Sequence, residues 1–143
     1  ISQEYFMKVF QHLTHHRTPE DLWTRFFDPA PIPETIDVIE RLKKRFRVVA
    51  GTNTVTPHYE VHTQREDYAI FPKVYASHLI HLAKPDPQFY THILQAEAVS
   101  PVESVFIDDS IQNVESALKL GIHAIHFTEG KALQEALSPL LVY

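Results

Sequence analysis

A chain of 143 residues, 44% hydrophobic and 22% charged, has the composition of a globular domain able to bury a sizeable core, not of a disordered tail. With a formal net charge of -5 and its basic residues scattered, it lacks the electrostatic footprint that tracks a phosphate backbone, so nucleic acid is not an expected partner. No apolar run reaches the roughly 18 residues a membrane span needs, and the absence of cysteine leaves no disulfide framework or thiolate metal site, as expected of a protein in the reducing cytoplasm.

In chain order, Ser2 precedes a segment in which Phe6, Val9, Phe10 and Leu13 recur at helical spacing, ending near His15-His16-Arg17. Thr18, Pro19 and Asp21 then form a cap and first turn for a short helix holding Leu22, Trp23, Phe26 and Phe27. Pro29, Pro31 and Pro33 make a stiff connector, and Pro33 is placed to begin a helix with Ile36, Ile39 and Leu42 facing inward. Residues 46–51, FRVVAG, read as a buried parallel strand; 57–69 read as a helix, and PKVYAS from Pro72 as a second strand. Asp86-Pro87 opens a helix through Phe89, Ile93 and Leu94, SVFID is a third strand, Ser110 caps a helix through Val114, Ala117 and Leu120, Gly121 stops it, and IHAIHF is a fourth strand. Alternating helices and continuously apolar strands imply an α/β fold with a doubly wound parallel sheet. Residues 1–30, with helices only, read as a separate helical unit, and 31–143 as the α/β core.

Ligands of a doubly wound sheet bind beyond the carboxyl ends of its strands. Three polar groups fall there: Thr52-Asn53-Thr54 after the first strand, Lys84-Pro85-Asp86-Pro87 after the second, and Asp108-Asp109-Ser110 after the third. Thr52 and Asn53 can donate to phosphoryl oxygens, Lys84 can neutralise developing charge, and Asp109 can ligate Mg²⁺. Singly, each group reads as a turn or a helix cap, but turns alone do not account for all three at strand ends. The histidine pairs His58/His62 and His78/His81 lack a third ligand at a recognisable spacing, and His123 and His126 alternate on a strand, so packing or surface roles are expected. The Trp23, Phe26 and Phe27 cluster reads as core packing, although it could also line a pocket.

Thr52-Asn53 after its strand, KPDPQFY from Lys84 and FIDDSIQNVESALKLGIHAI from Phe106 resemble the second, third and fourth motifs of the haloacid dehalogenase superfamily, and PETIDVIERLKKRFRVVAGTNT resembles its passage from helical cap to core. The resemblance covers nearly the whole chain and implies a Rossmann-like core with part of a helical cap, residues 1–30 being the cap's remainder. It implies that Thr52, helped by Asn53, binds the phosphoryl group, and that Lys84 pairs with nucleophile and phosphate. In the same way it makes Asp109 the principal Mg²⁺ ligand, with Asp108 beside it as support or further ligand, and sets Asn113 where some relatives have an acidic residue.

The superfamily's first motif, a strand ending in Asp-x-Asp whose carboxylates act as nucleophile and as general acid and base, has no counterpart here. By resemblance that strand is the central one, so its absence is expected to leave two unpaired edges, and this fragment is expected to be inactive. A cleaved N-terminal piece, residues preceding this sequence, or a second copy is expected to supply the strand, and Ile1 in place of Met favours the first two. The complete protein is then expected to be a Mg²⁺-dependent phosphomonoester hydrolase acting on a small phosphorylated metabolite. A dehalogenase or phosphomutase of the same superfamily, or a non-catalytic pseudoenzyme or phosphate- or partner-binding domain, is the alternative. A phosphorelay receiver is disfavoured because there the acidic pair comes first along the chain.

Overall fold

The computed structural model describes residues 3–15, 22–128 and 130–141. The expected caps at Ser2, Thr18, Pro19 and Asp21, His16-Arg17, and the side chains of Phe6, Leu22 and Trp23 lie outside what is described. The elements are α1 (Gln3–Thr14), α2 (Leu22–Arg25), α3 (Pro33–Lys43), β1 (Ala50–Thr52), α4 (Thr56–Gln64), β2 (Val74–Ala76), α5 (Ser77–Ile80), α6 (Pro87–Glu97), β3 (Val105–Asp108), α7 (Ile111–Lys119), β4 (His123–His126) and α8 (Gly130–Leu141). No described helix is long and apolar enough to cross a membrane.

Both strand pairs are parallel, but among the described residues they do not join. β1 pairs with β2, Gly51 opposite Tyr75, and β3 pairs with β4, Asp108 opposite His126. Helices cover both faces, and the strand period of two decides which residues meet them. Ile107 and Ile125 turn to one face, where they join Val48 and Phe127 against Val38 and Leu42 of α3 and Leu133 and Leu137 of α8. Phe106 and Ala124 turn to the other, against Phe89 and Tyr90 of α6, Ala117 of α7 and Ile122. α6 also reaches β1: a Cβ on Gly51 would stand 3.2 Å from the Phe89 ring and 3.3 Å from Ile93 Cδ1. The glycine therefore lets α6 press on β1, and one helix packs on strands of both pairs.

Several local expectations change. β1 begins at Ala50, not Phe46: its ladder runs only against β2, where Ala50 N–H donates to the Lys73 carbonyl at 3.0 Å, and Phe46 is left 41% exposed. The buried face of α3 is Val38 and Leu42, with Ile36 at 38% exposure, a rotation set by the position of α8. α4 ends at Gln64 because Glu66 takes a left-handed φ of 60° while Asp67 N–H closes back on the His62 carbonyl at 2.9 Å. Asp86 does cap α6, its Oδ1 accepting from Gln88 N–H at 2.8 Å, and Gly121, at φ 82°, ends α7 with Ile122 N–H on the Ala117 carbonyl. Ser110 makes no side-chain cap; its N–H goes to Asp108 instead.

Candidate functional site

Thr52, Asn53, Asp108 and Asp109 fall at carboxyl ends of strands, Lys84 on the loop between α5 and α6, and Asn113 in the first turn of α7. Lys84 joins the two strand pairs. Its Nζ donates to the Gly51 carbonyl of β1 at 2.9 Å and to Asp108 Oδ2 at the end of β3 at 2.7 Å. Both side chains are largely enclosed, Lys84 at 11% and Asp108 at 5% exposure. The main chain of Lys84 is held as firmly: Asn53 Nδ2 donates to its carbonyl at 2.7 Å, and its N–H donates to Asn53 Oδ1 at 2.8 Å. The Asn53 oxygen and one of its two amide hydrogens are thus engaged by the peptide of Lys84, and what Asn53 can still offer a phosphoryl oxygen is its second Nδ2–H and its main-chain N–H.

Asp108 is the hub of the rim. Oδ2 takes Lys84, and Oδ1 accepts from Ser110 N–H at 2.9 Å and Asn113 Nδ2 at 2.8 Å. Asn113 is itself steadied through its carbonyl by the Tyr90 hydroxyl at 2.9 Å, a buried phenol that desolvation and the nearby Asp108 charge push up to about 12. Burial favours the neutral acid at Asp108, but the hydrogen bonds from Lys84, Asn113 and Ser110 outweigh it, so its carboxyl titrates below the usual range. Asp109, next along the chain, is exposed, and among the described residues nothing pairs with its carboxylate. The Lys84 ammonium pairs with Asp108 alone of the two carboxylates, and Asp109 supplies an oxygen donor not already engaged, of the kind a hard divalent cation takes. No group of three or more His, Cys, Asp or Glu among the described residues could hold a metal alone.

Thr52 ends β1, half-buried, in a side-chain hydrogen bond with Tyr68, whose phenol burial pushes up. Ser77, opening α5, ties the next turn: its Oγ accepts from Thr54 N–H at 3.0 Å and donates to the Thr54 carbonyl at 3.1 Å. Three of the histidines set aside earlier have partners among the described residues. His58 stacks on Phe27 at 3.8 Å, His62 Nδ1 lies 2.8 Å from Asp67 Oδ2, and His78 meets the edge of Tyr59. His126 differs: its Nε2 is 2.9 Å from the Asp109 carbonyl, on the rim itself. An i, i+3 spacing with His123 carries no hint of that contact, which the register between β3 and β4 creates.

The arrangement of Thr, Lys and Asp at one rim can be compared with known proteins. The haloacid dehalogenase-like hydrolase family matches residues 7–121, most of the sequence. The chain belongs to that family. A sesquiterpene phosphatase of Aspergillus oryzae is 34% identical over 84 residues, 57% of this chain and 42% of the relative, so the chain spans less than half that relative's length. A haloacid dehalogenase-like hydrolase from Porphyromonas gingivalis superposes with a TM-score of 0.84 at 24% identity, over 100% of this chain and 75% of that one. An enzyme of the family from Bacteroides thetaiotaomicron, solved with magnesium and inorganic phosphate, superposes with a TM-score of 0.75 at 25% identity, over 90% of this chain and 70% of that one. Together they establish the α/β haloacid dehalogenase fold.

Two expected outcomes follow from the hub. Asn53→Ala removes both bonds to the Lys84 peptide, each worth about 0.5–1.5 kcal/mol net, and should lower the urea midpoint and broaden the Lys84 side-chain NMR signals; Asn53→Asp should restore only the bond from the Lys84 N–H. The carboxyl of Asp108 is depressed in the folded state, so it contributes stability above the ordinary carboxylate pKa, and this is lost as pH falls through the lower, folded value. Urea midpoints should therefore decline with acid from about pH 5 downward, more steeply in the parent than in Asp108→Asn. Equal slopes would mean that other carboxylates, such as Glu97, carry the acid response.

Proposed function

We propose that this chain supplies the phosphoryl-binding and cation-binding part of a Mg²⁺-dependent phosphomonoester hydrolase whose nucleophilic carboxylate comes from a strand outside the residues of this sequence. The observation that carries the reading is the position of Lys84, whose one ammonium contacts the end of β1 and the carboxylate at the end of β3, beside Thr52. A strand between the two pairs would end at that ammonium. Lys84 would orient an arriving carboxylate and offset charge on the phosphoryl oxygens, and the Thr52 hydroxyl with the Asn53 N–H would hold the phosphoryl group in line for attack. The carboxylate oxygen bonds to phosphorus as the ester P–O bond breaks, a second carboxyl group in its protonated form gives its proton to the leaving alkoxide, and the carboxylate so formed takes a proton from the water that attacks the acyl phosphate and releases phosphate. Asp109, supported by Asp108, would hold Mg²⁺, which when bound draws charge from the phosphoryl oxygens. The phosphatase relative and the relative solved with magnesium and phosphate support the phosphoester reading over a dehalogenase, and an oxygen-only donor set agrees.

In this proposal residues 1–30 belong to a helical cap, the substrate is a small phosphorylated metabolite, the location is cytoplasmic, and the strand comes from a covalent or cleaved N-terminal piece or from a second copy. The test is release of phosphate from p-nitrophenyl phosphate by the complete protein with Mg²⁺, with EDTA, and after Asp109→Asn. Hydrolysis that needs Mg²⁺ and falls at least about 100-fold in the variant supports the reading; full activity in EDTA would sink it.

A further inference from the structure

We infer that His126 is a positioning residue that fixes the direction of the Asp109 carboxylate toward the cation, an inference that rests on the reading above. The geometry lies in the two peptide planes flanking Asp109. The plane before it is held by Phe127 N–H, which donates to the Asp108 carbonyl at 2.8 Å. The plane after it is held at both ends: Ser110 N–H donates to Asp108 Oδ1 at 2.9 Å, and the Asp109 carbonyl faces His126 Nε2 at 2.9 Å. A carbonyl only accepts, so Nε2 carries the proton in this contact. Fixing both planes fixes φ and ψ of Asp109, and with them the line along which its Cβ leaves the chain.

The neighbouring groups leave Asp109 as the member of the turn with an available carboxylate, because both oxygens of Asp108 are taken by Lys84, Ser110 and Asn113. Packing does not explain the histidine: its side chain lies on the exposed rim, and His123 on the same strand, also exposed, makes no side-chain hydrogen bond among the described residues. Residues that hold a metal ligand in place influence affinity by about 10–100-fold when removed. His126 therefore acts on the cation through the main chain of its ligand, without touching it.

The experiment titrates Mn²⁺ into the complete protein by electron paramagnetic resonance, for the parent, His126→Ala, His126→Gln and Asp109→Asn, with thermal unfolding of each. The expected result is about tenfold weaker Mn²⁺ binding in His126→Ala, recovery of most of it in His126→Gln, whose amide N–H can reach the same carbonyl, and an unchanged unfolding midpoint. Parent-like affinity in His126→Ala, while Asp109→Asn has lost the ion, overturns the positioning role and leaves the cation site standing. Unchanged binding in Asp109→Asn overturns the cation assignment and this inference with it. Equal weakening in the alanine and glutamine variants overturns the donor role of the ring.

Discussion

Lys84→Met should destabilise the chain by about 3–5 kcal/mol, the range for breaking a buried ion pair from one side. The magnitude follows from what remains. Asp108 keeps its bonds from Ser110 and Asn113 but loses the only cation paired with it among the described residues, and its side chain is 5% exposed, so water replaces little of the loss. The Gly51 carbonyl loses the same donor. Because the penalty is mainly that of an uncompensated charge, Lys84→Met combined with Asp108→Asn should recover a large share of it, and urea denaturation of the two single variants and the double variant measures this coupling directly. A loss below about 1 kcal/mol for Lys84→Met is what a solvent-exposed pair would give, and would contradict the enclosed bridge. On the proposed reading, the same substitution in the complete protein should lower kcat/KM for phosphoester hydrolysis by about 100–1000-fold, as for removal of one preorganised donor to transition-state charge.

Phe89→Ala should be comparably damaging, at about 3–5 kcal/mol, for a different reason. Its side chain is fully buried against Gly51 of β1 and belongs to the cluster that includes Phe106 of β3 and Ala117 of α7. The two strand pairs share no ladder among the described residues, so packing through α6 is a principal apolar link between them. Truncation should therefore speed amide exchange at Ala50 and Gly51 beyond what the global loss explains, while Val102→Ala, at a site 68% exposed, should stay within about 0.5 kcal/mol of the parent. Slow exchange at β1 in Phe89→Ala would show that another contact carries the link.

What the sequence discloses is what local chemistry determines. Asp86 before Pro87 and Gly121 after an amphipathic run mark the ends of α6 and α7 because capping needs only nearby residues. Parallel strands with helices between them follow from apolar runs alternating with amphipathic ones, and the strand ends bring Thr52, Lys84 and Asp108 to one rim in chain order. Long-range partners were not legible. Nothing local shows that Asn53 also grips the main chain of Lys84, 31 residues on, through its oxygen and one amide hydrogen. Ser110 has every mark of a helix cap, yet Asp108, two residues earlier, reaches the same helix end first. Ile36 has the right spacing for the buried face of α3, but the position of α8 turns Val38 inward instead. His126 becomes a rim residue only through its register opposite Asp108.

The proposal that the reacting carboxylate lies outside residues 1–143 is tested most directly by supplying it. Hydrolysis of p-nitrophenyl phosphate with Mg²⁺ is measured for the purified 143-residue chain alone and for the chain extended by an apolar strand ending in Asp-x-Asp. The expected result is no turnover by the chain alone and Mg²⁺-dependent turnover by the extended protein, abolished when the first aspartate of the added strand becomes Asn. Turnover by the 143-residue chain alone would place the nucleophile among its own residues and contradict the proposal.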